Sequence, residues 1–159
     1  MSATIDFPEH GLTSYRVDPP GAIRGAVIVI QEIWGLVEHI KDVTGRFAAE
    51  GYVAIAPDLL GHVGLSPEVG QELNRLVMGE DEEARLAAQP RMRELLGPAR
   101  SPEFAAWAVP ALQAVVDHLL AVEGVDGRVG VVGYCFGGTY ADALALAEPR
   151  LRAAVPFYG

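Results

Sequence analysis

The sequence predicts an α/β fold: a mostly parallel sheet with helices on both faces. Three observations carry that. The runs "GAVIVIQE" (residues 25–32), "YVAIAPD" (52–58) and "RVGVVGY" (128–134) are short, rich in Val, Ile or Ala, and apolar at consecutive rather than alternate positions. That is the pattern of strands buried on both faces. Between them lie stretches with apolar residues at helical spacing, and strands alternating with helices build parallel sheets through right-handed crossovers. The chain is 50% hydrophobic, with a mean hydropathy of +0.22, as a sheet covered on both sides requires.

Taken in order, "TSYRVDPP" reads as a weaker strand that "PPG" terminates. After the first buried strand, Ile40, Val43 and Phe47 recur at helical spacing and Gly51 follows as a C-terminal cap. The second buried strand leads into residues 65–100, which break the alternation with Pro, Gly, mixed charge and short helical pieces after "SPEVGQELNRLV". This stretch is expected to be an excursion over the carboxyl ends of the strands, where α/β proteins bind ligands. Its acidic cluster "GEDEEAR" reads as a solvated face. Next comes the clearest helix, "SPEFAAWAVPALQAVVDHLLAVEG", with Ser101 as cap and Pro102 in its first turn. Leu112, Val115, Val116 and Leu119 form its buried stripe, and Pro110 is expected to kink it or mark a late start. A helix follows Cys135, with Ala141, Leu144 and Ala145 on one face, and "LRAAVPFYG" reads as one more strand.

At 159 residues the chain is one domain. Twelve Lys and Arg stand against 21 Asp and Glu, a net charge of −9, and no basic stripe interrupts them. Nucleic acid and anionic membrane surfaces are therefore not expected partners. The single cysteine rules out an intrachain disulfide and a Cys-rich metal site. The start, "MSATIDFPEHG", has no apolar core of a signal peptide, and no apolar run approaches the roughly 18 residues of a membrane span. The expected address is the cytoplasm, where a free thiol stays reduced.

That cysteine sits in "GYCFGG", between an apolar strand and a helix. Gly133-Tyr134-Cys135-Phe136-Gly137 fits G-x-nucleophile-x-G, the elbow of α/β-hydrolases, with Cys in place of Ser. Glycines two before and two after remove side chains that would clash as the chain doubles back. At the start of a helix the dipole favours a thiolate, and the Phe136 amide is placed to stabilise an oxyanion. A buried structural cysteine in a glycine-rich turn fits the same residues. The second constellation is "QEIWG", residues 31–35, at the end of an earlier strand. The Ile33 amide is the candidate second oxyanion donor. Glu32 is expected close to Cys135, where a carboxylate can accept the thiol's hydrogen bond and keep it unreactive at rest. Trp34 and Tyr134 are candidate substrate contacts. The plainer alternative is that Glu32 and Trp34 only cap a strand.

"QEIWG", "GYVAIAPDLL" and "GVVGYCFGG", in that order and spacing, resemble the dienelactone hydrolase family of α/β-hydrolases from about residue 25 onward. The resemblance implies hydrolysis of small-molecule lactones or esters by Cys135, with Glu32 holding the thiol at rest and Ile33 and Phe136 supplying the oxyanion amides. It implies no metal and no organic cofactor. Family substrates often carry a carboxylate bound by arginines; Arg75, Arg85 and Arg91 lie in the right region but also read as ordinary surface charges.

A triad would need an acid and a histidine after Cys135. Only Asp142 and Glu148 follow as acids, in or just after the elbow helix, and His10, His39, His62 and His118 all precede it. The chain is therefore expected to be the first two thirds of a hydrolase, an incomplete domain over residues 1–159. Two partners follow from that expectation: a C-terminal fragment completing the fold, or a second copy associating through an exposed sheet edge at "AAVPFYG", partly blunted by Pro156.

Overall fold

The computed structural model describes residues 1–159. Its six strands are β1 (Ser2–Phe7), β2 (Leu12–Val17), β3 (Gly25–Ile30), β4 (Tyr52–Pro57), β5 (Val129–Tyr134) and β6 (Ala153–Phe157). They form one sheet in the order β1-β2-β4-β3-β5-β6. β1 and β2 make an antiparallel hairpin and β2 runs antiparallel to β4, while β4, β3, β5 and β6 are parallel. The sequence reading missed β1. It is an edge strand, half-buried only at Ile5 and Phe7, so its signal is a weak alternation rather than an apolar run.

Five helices accompany the sheet: α1 (Glu38–Ala49), α2 (Pro67–Met78), α3 (Glu82–Leu96), α4 (Pro102–Leu120) and α5 (Phe136–Ala147). Side chains alternate across a strand, so the register divides the two faces. Ile28, Ile30, Val129 and Val131 are buried on the face that α4 and α5 cover. The other face carries Val27 beside Gly130, Val132 beside Val155, and Tyr134 beside Phe157, next to Phe47 of α1.

The α4 stripe is the centre of the core: Leu112, Val115, Val116 and Leu119 are completely buried. Pro110 does not delay α4, which runs unbroken from Pro102. Pro110 and Ala106 lie on the exposed side, so the carbonyl that loses its partner faces water and the break in the hydrogen-bond ladder is tolerated. On α5 the expected stripe needs one correction. Gly137, Tyr140, Ala141 and Leu144 are buried, but Ala145 is exposed and the periodicity continues to Glu148, at 2% exposure. Arg150 neutralises that buried carboxylate through Nε at 2.7 Å, Nη2 at 2.6 Å and its backbone N–H at 3.1 Å. It also donates to Asp117 of α4 at 2.7 Å, tying the two helices together.

Residues 65–100 hold α2 and α3. Ser66 caps α2 by accepting from the Val69 N–H, and Asp81 caps α3 by accepting from the Ala84 N–H. The acidic cluster around Glu80 is exposed. α2 is seated by Gly70, where a β-carbon would collide with the Trp34 carbonyl, and by buried Leu73. The excursion thus packs against the turn that follows β3.

Candidate active site

Cys135 sits between β5 and α5 with φ 54° and ψ −117°. A non-glycine residue at positive φ is strained and persists only where its surroundings impose it. Here the impositions are backbone contacts. A β-carbon at Gly133 would run into the Gly137 carbonyl, and one at Gly137 into the carbonyls of Ile30 and Gln31. A β-carbon at Gly138 would also crowd the Phe157 carbonyl, at 2.8 Å. The turn is pinned by the Cys135 N–H donating to the Phe157 carbonyl at 2.9 Å, and by the Gly138 N–H donating to the Cys135 carbonyl at 2.8 Å. The half-buried thiol stands at the first turn of α5.

Parallel register brings the second constellation alongside. Ile30 pairs with Gly133, so Glu32 and Cys135, each two residues further on, leave neighbouring strands at the same level. Neither the Ile33 nor the Phe136 amide hydrogen-bonds to another protein group, which leaves both donors free. Gln31 is fully buried. With its amide oriented to satisfy both ends, it donates to the Pro57 carbonyl at 2.9 Å and accepts from the Leu60 N–H at 3.1 Å. That bridge fixes the end of β3 to the end of β4.

The Glu32 carboxylate accepts a hydrogen bond from the Tyr158 hydroxyl at 3.3 Å, and no protein group hydrogen-bonds to the Cys135 sulfur. Tyr158 was not singled out from the sequence. It is exposed, carries φ 39°, and directly follows β6, the strand paired with the elbow strand. Its hydroxyl pKa is pushed up, first by slight desolvation and then by the charge and hydrogen bond of Glu32, so it remains a donor at neutral pH.

The other candidates fall in two places. Trp34, 5% exposed, lines a cavity of about 240 Å³ together with Glu32, Val37, Glu38, His39, Gln71 and Asn74. Tyr134 instead stacks on Phe157, ring centroids 5.2 Å apart, and lines the groove on the α1 face. The Phe136 ring joins an aromatic cluster with Tyr140, Phe104 and Trp107. His62 is stacked on Trp107 at 3.6 Å. His118 contacts Arg16 and Phe7 on the far side of α4. Arg91 pairs with Glu72 at 3.2 Å, and none of Arg75, Arg85 and Arg91 lines the cavity.

Comparison with known proteins places the fold and the family. The model of the dienelactone hydrolase family matches residues 12–159. A Salmonella typhi protein provisionally named a carboxymethylenebutenolidase is 35% identical over 144 residues, 88% of this chain and 46% of its own length. A Synechocystis protein with the same provisional name is 34% identical over 158 residues, 98% of this chain and 57% of its own. The crystal structure of a provisionally assigned dienelactone hydrolase from Klebsiella pneumoniae superposes with a TM-score of 0.74 at 30% identity, covering 100% of this chain and 60% of that one. The chain spans about half the length of the curated relatives it matches. The match runs from β2 through the elbow to β6 and takes in both constellations, and on that ground the chain belongs to the dienelactone hydrolase family.

Proposed function

We propose that this chain carries the nucleophile of a hydrolase acting on lactone or carboxylic ester bonds, and that Cys135 is that nucleophile. The observation that supports it most is the strained, positive-φ backbone of Cys135 at the mouth of α5. The Cys135 thiolate attacks the substrate carbonyl carbon, and the oxygen charge that develops is met by the amides of Ile33 and Phe136. Collapse of the tetrahedral adduct breaks the C–O bond, leaving an acyl-Cys135 thioester and the alcohol oxygen, which takes up a proton. Water then attacks the thioester and releases the acid and the free thiol. Glu32 is the carboxylate proposed to receive the thiol's hydrogen bond, although in the structure it takes the Tyr158 hydroxyl instead; Trp34 is the candidate aromatic contact on the Glu32 side, and Tyr134, facing the α1 groove, is the weaker one. The reading treats residues 1–159 as one α/β unit with 65–100 over its active face, assigns the base to none of the four histidines present, and uses no metal or organic cofactor. A thiol nucleophile also favours a reducing compartment, the cytoplasm; no helix is long and apolar enough to cross a membrane.

The test is acyl trapping. Incubated with an activated aryl ester, the chain is expected to gain one acyl group, mapped to Cys135 by peptide mass spectrometry and absent in Cys135→Ala. Acylation elsewhere, or none at millimolar ester, refutes the assignment.

A second reading rests on the open face. Val155 and Phe157 of β6 remain 45% and 44% exposed, beside a groove of about 660 Å³ lined by Val27, Phe47, Val132 and Tyr134. In this chain alone, a second copy meeting that edge strand and groove would cover them.

A further inference from the structure

The two ladders of β3 end at different levels. On the β5 side pairing runs to Ile30 with Gly133, whereas on the β4 side it stops at Ile28 with Ile55. Beyond that point the hydrogen-bonded link from β3 to β4 is a side chain. Gln31, completely buried, donates to the Pro57 carbonyl at 2.9 Å and accepts from the Leu60 N–H at 3.1 Å. Its own carbonyl is packed on the elbow, so close that a β-carbon at Gly137 would come within 2.6 Å of it. One residue thus touches both the end of β4 and the first turn of α5. Two positions further on comes the Ile33 amide. The main chain of residues 31–34 makes one hydrogen bond to protein, accepted by the Glu32 carbonyl from the Gly35 N–H at 3.3 Å. The far side of this turn is set by Trp34, whose carbonyl packs on Gly70 of α2. The near side is set by Gln31.

From this arrangement we infer that Gln31 is a positioning residue for the hydrolytic reaction: its paired side chain sets how far the Ile33 amide stands from the Cys135 elbow, and with it the width of the oxyanion site. The inference deepens the proposed function and rests on it. An oxyanion donor acts only at about 2.7–3.1 Å from the oxygen where charge develops, and losing one outright costs about 100- to 1,000-fold in rate. A donor that is shifted rather than deleted forfeits part of that. An amide suits the task because it gives one hydrogen bond and accepts another at once, which no apolar side chain of its length can do. Without it the buried Pro57 carbonyl and Leu60 N–H are left unpaired, and the ends of β3 and β4 gain a reason to separate. A reacting group held by main chain still depends on such a supporting contact to keep its geometry.

The test sets a reaction that needs the oxyanion site against one that does not. With an activated aryl ester, the Cys135 thiolate attacks the carbonyl carbon, negative charge gathers on the oxygen, and the aryloxide leaves. With methyl methanethiosulfonate, the same thiolate attacks sulfur, a disulfide forms, and methanesulfinate departs with the electron pair; no oxyanion arises on carbon. Cys135 is the only cysteine, so intact mass follows both reactions on the full chain. The ratio of acylation rate to thiosulfonate rate cancels changes in thiolate population and access. Gln31→Met, of similar length but unable to make either bond, is expected to lower that ratio about tenfold. Gln31→Glu supplies a rescue. Ionised at pH 8.5, it has no proton for the Pro57 carbonyl and is expected to behave like the Met variant. Protonated at pH 5.5, it donates again, and the ratio is expected to return to within about twofold of the unmodified protein at that pH. The groups facing this position favour the protonated form at the lower pH: Asp58, 3.5 Å from the Gln31 amide, has its carboxyl pushed up by burial against the opposing Gly61 hydrogen bond and Lys41 charge. A ratio that Gln31→Met leaves unchanged overturns the inference, even if both rates fall together. If the Met variant does not fold, Gln31→Glu decides alone, and a ratio in it that ignores pH overturns the inference as well. Acylation of Cys135 that is indifferent to Gln31 keeps the hydrolase reading and discards this one. No acylation of the unmodified protein refutes both.

Discussion

The hydrogen bond from Tyr158 to Glu32 makes a quantitative prediction. Glu32 leaves β3 at the level of Cys135, and on the proposed reading the thiol is a second partner for its carboxylate beside the tyrosine hydroxyl. The structure shows it on the tyrosine, at 3.3 Å. That length is at the long end for O–H···O, and Tyr158 is 71% exposed, so the bond contributes near the lower limit for its type, about 0.5–1 kcal/mol. Tyr158→Phe removes it and leaves the ring. Glu32 then moves toward the thiol, where its charge and its acceptor oxygen disfavour the thiolate. Alkylation of Cys135 by iodoacetamide at pH 7.5 is expected to slow by about two- to fivefold, the range that energy corresponds to at 1.4 kcal/mol per tenfold. Glu32→Gln removes the opposing charge and is expected to speed alkylation by a similar factor. The decisive measurement is the double variant, by intact-mass kinetics: in the Glu32→Gln background, Tyr158→Phe is expected to do nothing further. If it slows alkylation equally in both backgrounds, Tyr158 does not act through Glu32. If it changes neither, the contact is incidental.

Two further outcomes follow. The Glu148 carboxyl is held below its ordinary value of 4.5, chiefly by hydrogen bonds from Arg150. A lowered folded value stabilises the protein fully above pH 4.5, and that contribution is lost as pH falls through the folded value. Glu148→Gln is expected to cost about 1–3 kcal/mol in urea unfolding at pH 7 and less at pH 4, where the unfolded carboxyl is largely protonated and the linkage contribution is reduced; an equal cost at both values counts against it. The open β6 edge is expected to give concentration-dependent sedimentation between about 1 and 100 µM, shifted toward monomer by Val155→Lys; a single monomer boundary throughout refutes the self-association reading.

What was legible in the sequence was whatever rests on backbone demands. Continuous apolar runs marked β3, β4 and β5, because a strand covered on both faces has no polar positions to spare. Gly133 and Gly137 marked the elbow, because no β-carbon fits where their backbones pass Gly137, Ile30 and Gln31. What was not legible depends on contacts between distant segments. Tyr158 lies 126 residues from the glutamate it binds, and only the β5–β6 and β3–β5 pairings bring them together. Ala145 was assigned to the buried face because its apolar character fits. The face is continued instead by Glu148, which burial permits only because Arg150 satisfies it. His62 follows β4 as expected, yet its ring is committed to the face of Trp107 on α4, a pairing no local pattern announces.

These particulars bear on how the site is positioned. The thiol is fixed by main chain alone: the Gly133–Gly137 approach, the bond to the Phe157 carbonyl and the strained, positive-φ turn at Cys135. Changing side chains around it therefore alters reactivity more readily than geometry. Glu32 is the opposite case. Its α-carbon is set by the pairing of Ile30 with Gly133, while its carboxylate is held by a single hydrogen bond, from the exposed Tyr158 hydroxyl. A carboxylate on a fixed backbone with one exposed hydrogen bond is released at a cost of about the energy of that bond, so a change at Tyr158 acts on where the Glu32 charge sits and not on the strands that carry it.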